Sequence, residues 1–253
     1  FKKAKRAMKR SLLPAYKDLI RFLQKQASRA PEQQAASDLP QGKEYYQLLL
    51  QRHTTTDLSA EQIHQLGLKE VTRIHQRIHQ LIKPLGYPAA NEKDSDLATL
   101  DLKTFFTWME GSAERFEQDP QGEKDFVAFQ RDKVAAMSMR LHQSFSELPK
   151  TPIVVRPVAK YRQKNSPIAF YEQPPLDASR PGFYYVNPAR QHDLPKYRLA
   201  ALAYHEALPG HHMQIALARE NQNLASFRRL LNFTAFSEGW GLYAEKLADE
   251  MGG

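Results

Sequence analysis

The 253-residue chain has no cysteine, which excludes a disulfide framework, a thiolate zinc finger, an iron–sulfur cluster and a thiol nucleophile. The compartment stays open, because a cysteine-free chain survives either redox environment. No apolar run approaches the roughly 18 residues that a bilayer-spanning helix requires. Even the stretch from Tyr197 to Tyr204 is broken by Arg198. No signal-peptide core follows Phe1-Lys2-Lys3-Ala4-Lys5-Arg6, and the first residue is not Met. We therefore read the chain as an internal piece or a processed product, any targeting signal of which would lie upstream. Self-similarity at a period of roughly 20 to 50 residues is also lacking, which excludes a solenoid.

What is present is ordinary for a globular protein. Hydrophobic residues make up 42% and charged residues 25%, enough for the core of one large or two small domains. Lys and Arg number 36 against 28 Asp and Glu, a formal net charge of +8. Such an excess can serve nucleic acid or anionic lipid. Here its main run is Lys2, Lys3, Lys5, Arg6, Lys9 and Arg10, and later basic residues alternate with acids as on solvated helix faces. No recognition motif accompanies the charge, so nucleic acid is not an expected partner.

Residues 1–150 read as an N-terminal helical part, with apolar positions recurring at three and four. Ile63, Leu66, Val71, Ile74, Ile78 and Ile82 make one core-facing stripe, stopped by Pro84 and Gly86. Thr54-Thr55-Thr56-Asp57 and Ser59-Ala60-Glu61-Gln62 supply caps at its start. A second helix begins at Asp101 and a third runs from about Gly122 to Ser146, with polar connections over Ala35 to Gly42 and Tyr87 to Asp96. Near Pro149 the character changes. Thr151 to Val158 is β-branched and proline-punctuated, an edge strand by pattern. Ile168 to Tyr171 and Phe183 to Val186 are further strands, joined by a connection too long for a tight turn. From Leu194 the helical pattern returns, with Pro195 in a first-turn position. The expected fold is mainly α with a small antiparallel β-sheet. Residues 151–253 carry the sheet and two active-site helices, in one continuous catalytic domain with the preceding part.

The most unusual stretch is His205-Glu206-Ala207-Leu208-Pro209-Gly210-His211-His212. A zinc-peptidase helix places two His four residues apart, so that both imidazoles share a face, with a Glu beside the first as general base. Here the fourth position is Pro209. In an undistorted helix His211 would be rotated by about 240° from His205, and His212 would lie about 10.5 Å along the axis. Pro209 and Gly210 can kink or bulge the helix and absorb two extra residues, which brings His211 into the second ligand position. A third ligand comes from a neighbouring element. In Phe236-Ser237-Glu238-Gly239-Trp240-Gly241-Leu242-Tyr243-Ala244-Glu245, Glu238 is favoured because Gly239 allows close approach, and Glu245 can orient a ligating His. His212 is an alternate ligand or a core imidazole, and Tyr184, Tyr185 and Tyr243 are candidate oxyanion donors. The strand around Phe183 to Asn187 can take an extended peptide by strand addition. His75 and His79, four apart, read instead as the boundary of an amphipathic face; His53, His64, His142 and His192 read as structural, and Trp108 and Trp240 as core.

The His205–His212 run, with Glu238-Gly239-Trp240 and Tyr243-Ala244-Glu245, resembles the bacterial domain-of-unknown-function 885 family. Leu39-Pro40-Gln41-Gly42 with Tyr45-Tyr46, Thr54-Thr55-Thr56 with Ile63-His64, and Arg180-Pro181-Gly182 before Val186-Asn187 extend the resemblance over nearly the whole chain. The resemblance implies a helical, gluzincin-like zinc peptidase similar in layout to carboxypeptidase Taq and dipeptidyl peptidase III. It implies His205, His211 and Glu238 as Zn2+ ligands, with Glu206 as base. Zinc is inferred, and another divalent transition metal also suits two imidazoles and a carboxylate. The resemblance further implies a peptide substrate and an exported or envelope-associated location in a bacterium. It also leads one to expect further family elements beyond Gly253, so this fragment need not turn over substrate. The rival readings are a non-catalytic peptide- or partner-binding domain of peptidase ancestry, and a basic helical module binding nucleic acid or anionic lipid through residues 1–10.

Overall fold

The computed structural model describes residues 1–30, 35–88 and 100–253. Of the polar connection expected over Tyr87 to Asp96, the part from 89 onward lies outside the described residues. The chain divides into two compact units, Phe1–Leu49 and Leu50–Gly253. The first holds α1 (Lys2–Ala7), a π-helical turn Met8–Leu12, α2 (Leu13–Ala27), a short 3-10 turn and the start of α3 (Gly42–Thr54). Pro14 has no N–H to return to Arg10, which accounts for the change of ladder there.

In the second unit, local sequence signals set the helix starts. Ser59 and Gln62 form a reciprocal capping box at the head of α4 (Ala60–Ile82), the Gln62 N–H donating to Ser59 Oγ at 3.2 Å and the Ser59 N–H to Gln62 Oε1 at 2.8 Å. Asp101 accepts from the N–H groups of Lys103 and Thr104 to open α5 (Leu102–Ser112), and Asp119 caps α6 (Pro120–Arg140). A 3-10 turn, Leu141–Gln143, ends that helix three residues short of Ser146. The stripe on α4 is not core-facing along its length. Leu66, Val71 and Ile74 are exposed, Ile63 and Ile78 are half-buried, and the C-terminal end packs most closely, with Ile82 joining Tyr87 and Phe105.

The sheet contains β1 (Ile153–Pro157), β2 (Ala169–Glu172) and β3 (Gly182–Val186) in the order β1-β3-β2, with the short α7 (Lys160–Gln163) between β1 and β2. The sheet is mixed rather than antiparallel. β2 pairs antiparallel with β3, but β1 pairs parallel to it, Val155 opposite Tyr184. The chain passes from β1 through β2 before returning as β3 between them, which leaves β1 at an edge where its prolines are tolerated.

Four helices follow: α8 (Lys196–Glu206), α9 (His211–Glu220), α10 (Ser226–Leu230) and α11 (Thr234–Glu250). α8 packs against α6, α11 and β2. Phe126 and Met137 of α6, Tyr184 and Val186 of β3, Leu199 of α8, Met213 of α9 and Ala248 of α11 close one apolar core. Each large side chain fully buried there contributes roughly 1.5–3 kcal/mol. Among the described residues, no helix is long and apolar enough to cross a membrane.

Candidate metal centre

The histidine motif is not one kinked helix. α8 ends at Glu206, residues 207–210 turn with a cis Leu208–Pro209 peptide, and His211 opens α9. The His212 N–H closes the turn on the Ala207 carbonyl at 3.1 Å, a five-residue spacing wider than the helical one. Gly210 is required by space: a Cβ there would lie 1.8 Å from the His205 carbonyl oxygen and 2.3 Å from that of Tyr204. The turn delivers His211 beside His205, their ring centroids 4.7 Å apart.

Glu238, on α11, comes from the opposite side. Its Oε2 lies 3.6 Å from His205 Nε2 and 3.7 Å from His211 Nε2, and all three candidate ligand atoms fall within 4.8 Å of one another. Ligands of a tetrahedral zinc at about 2.0–2.2 Å sit roughly 3.4 Å apart, which the two Glu238 distances approach, and two imidazoles with a carboxylate are donors that such an ion takes. A second carboxylate on α11, Glu245, accepts from His205 Nδ1 at 2.8 Å. A carboxylate only accepts, so Nδ1 carries the proton and Nε2 presents its lone pair to His211 and Glu238. Burial holds His211 below the ordinary histidine value and favours the neutral, ligating form. Its Nδ1 is buried without a hydrogen-bond partner.

α11 is held in place by two contacts with the motif. Trp240 Nε1 donates to the Pro209 carbonyl at 2.9 Å. Gly241 lies flat against His205, where a Cβ would come within 2.5 Å of the ring. The sequence reading assigned close approach to Gly239; that residue meets nothing, and Gly241, two residues on and buried, makes the approach.

Glu206 sits at the C-terminal end of α8 with one oxygen accepting from the Tyr171 N–H at 2.9 Å. Burial pushes its carboxyl above the ordinary value, outweighing the Tyr171 bond. The other sequence candidates separate. His212 is buried and not among the clustered ligands; its Nε2 donates to the Thr151 carbonyl at 3.0 Å, so its Nδ1 accepts from the Tyr171 hydroxyl at 2.9 Å. Burial lowers its pKa to about 4, which keeps it neutral. Tyr184 is fully buried and donates to Gln130 at 2.9 Å, which removes it from the oxyanion candidates. Tyr185 stacks on Phe170 at 5.0 Å, and the exposed Tyr243 packs on Trp240. β3 is the central strand, paired on both sides, so strand addition to 183–187 is excluded; the free edge nearest the site is that of β2. Tyr171, which the sequence reading missed, links that edge to both Glu206 and His212. Only its position in an edge strand three residues before a proline hinted at it. His79 bonds the Leu100 carbonyl, His192 the Phe116 carbonyl and His53 the Thr234 hydroxyl, as structural imidazoles do.

Among solved structures, the chain is similar to one described as "the putative lipoprotein from Colwellia psychrerythraea", with a TM-score of 0.87 and 28% identity. The match covers 96% of this chain and 40% of that one, so the chain spans well under half the length of its structural neighbour. No curated protein matches. The family model described as a bacterial protein of unknown function, DUF885, matches residues 1–253, the whole chain, which therefore belongs to that family.

Proposed function

We propose that the protein is a zinc-dependent peptidase whose metal is held by His205, His211 and Glu238 and whose general base is Glu206. The observation that carries this reading is the convergence of two imidazole Nε2 atoms and a carboxylate oxygen within 4.8 Å, next to a half-buried glutamate. When bound, zinc supplies Lewis acidity, acidifying water and polarising a scissile carbonyl. Glu206 takes the proton released as water adds across the peptide bond, and passes it to the departing amine, leaving a new carboxyl and a new amine. Glu245 keeps His205 in the ligating tautomer. The Tyr171 bond fixes one oxygen of Glu206, so the other is free for the proton. The raised pKa of Glu206 suits a group that must both accept and return a proton near neutrality. β2 offers an extended peptide a backbone edge beside that base. An envelope location accords with the lipoprotein description of the Colwellia neighbour.

Glu206→Gln tests this directly. The variant retains zinc and loses about 100-fold or more of kcat against a peptide library, the range typical of a removed general base. Full activity in Glu206→Gln contradicts the assignment. Zinc bound at one equivalent with no hydrolysis by the parent protein supports the non-catalytic binding domain instead.

A further inference from the structure

About three residues past the point where β2 meets Glu206, the chain passes a buried arginine. Arg219 of α9 is 8% exposed, and its guanidinium donates to the carbonyl of Pro174, two residues past the end of β2. Its Nε is buried with no hydrogen-bond partner. Arg229, from α10, turns back to donate to the Arg219 main-chain carbonyl at 2.7 Å, and both arginines line one cavity. Among the described residues, no carboxylate lies within ion-pair distance of Arg219, Arg228 or Arg229. Arg180, the other nearby cation, is already paired with Glu172 at 2.9 Å. Burial holds Arg219 below the usual guanidinium value, with the Arg180 and Arg229 charges adding to the effect. A buried cation next to like charges, with an unused donor, is a costly arrangement that a bound anion relieves.

Arg219 and Arg229 also line a cavity of about 460 Å³ whose other walls include Gln173, Ile215, Phe227 and Phe236. Ile215 lies one helical turn beyond His211 on α9, and Phe236 shares α11 with Glu238, so the cavity is lined from two of the helices that carry the candidate ligands. From Tyr171 to Pro174 is three residues of extended chain, roughly 10 Å. Along α9, His211 and Arg219 are eight residues apart, roughly 12 Å. We infer that this cavity is an anionic subsite of the same active centre: Arg219 and Arg229 receive a carboxylate of the substrate, its C-terminal one, while the apolar wall takes the last side chain. The inference rests on the peptidase reading for the word substrate, and it names the substrate class as peptides with a free C-terminus, cut two or three residues from that end.

The test is binding to the zinc-loaded 253-residue Glu206→Gln protein, measured by calorimetry with three N-acetylated peptides. Acetyl-Ala-Ala-Phe-Leu is offered as the free acid and as the carboxamide, and acetyl-Ala-Ala-Glu-Leu as the carboxamide. At least tenfold tighter binding of the free acid than of its amide is expected. Arg229→Gln and Arg219→Gln, each checked for a native thermal transition, reduce that ratio toward one. If the Glu-containing amide alone gains affinity in an Arg219-dependent way, the carboxylate is a side chain and the C-terminal assignment is overturned. Equal binding of acid and amide to the parent overturns the subsite, while cleavage of both by the wild-type protein leaves the peptidase reading standing. Preference for the acid with no cleavage of any peptide by the wild-type protein overturns the peptidase reading and leaves the subsite.

Discussion

The two carboxylates on α11 have different work although they lie seven residues apart on one helix. Glu238 faces both imidazole Nε2 atoms, whereas Glu245 reaches only the far nitrogen of His205. That far contact fixes which nitrogen is protonated, so its loss is felt at the metal without removal of a ligand. Glu245→Gln is expected to weaken metal affinity by about 10–100-fold while leaving stoichiometry at saturation unchanged; competition with a fluorescent chelator measures it. An unchanged affinity would show that His205 is held by packing against Gly241 alone. His212 shows how adjacent histidines part company. Thr151 and Tyr171 occupy both of its nitrogens, and His211, one residue earlier, keeps its Nε2 free.

Between elements, the decisive feature is the turn that separates α8 from α9. It fits because Gly210 has no side chain to strike the last carbonyls of α8. Gly210→Ala forces that turn apart and should cost on the order of 2–4 kcal/mol, a size reserved for overpacking and special backbone sites. Urea unfolding of parent and variant checks this, together with loss of metal binding. A second joint ties α9 to the strand region. Glu220, at the end of α9, accepts from the N–H groups of Lys150 at 2.9 Å and Thr151 at 2.7 Å. Partial burial pushes its carboxyl up, but those bonds outweigh it and hold the pKa below the ordinary 4.5. A lowered folded pKa means that the stabilisation is present above about 4.5 and is lost as pH falls through the folded value. Glu220→Gln should therefore be less stable than the parent at pH 7 by about 1 kcal/mol, with the gap closing in acid; denaturant melts at pH 7 and pH 3.5 show it.

At this scale much of the fold is legible in the sequence. Ser59 with Gln62 and Asp101 announce helix starts because a cap needs only its own neighbours. The prolines of β1 announce an edge. Strand direction is not announced: parallel pairing of β1 with β3 depends on the path through β2, which no local pattern records. Burial along α4 is likewise invisible, since the period of the stripe says which side is apolar and not what covers it. At the candidate site, His205, His211, Glu238 and Glu245 are readable from motif and spacing. Tyr171 and Gly241 are not, because their parts follow from contacts between elements far apart in sequence.

For the molecule as a whole, the described fold is helical with a small mixed sheet, and it spans 40% of the Colwellia chain that it resembles. The second unit carries every residue of the candidate centre, contributed by α8, α9 and α11, with Glu206 steadied by β2. A metal held across three helices would bind the folded state alone and stabilise it by mass action, about 2.7 kcal/mol at a hundredfold excess over Kd. For a unit of this size that corresponds to a rise in Tm of roughly 5–10 °C, reversed by a chelator. The most direct measurement is elemental analysis of protein purified without chelator, beside His205→Ala and His211→Ala. Close to one zinc per chain in the parent and none in either variant is the expected result. A parent that holds no metal after zinc is added back, or variants that hold as much as the parent, would contradict the metal centre on which the peptidase reading rests.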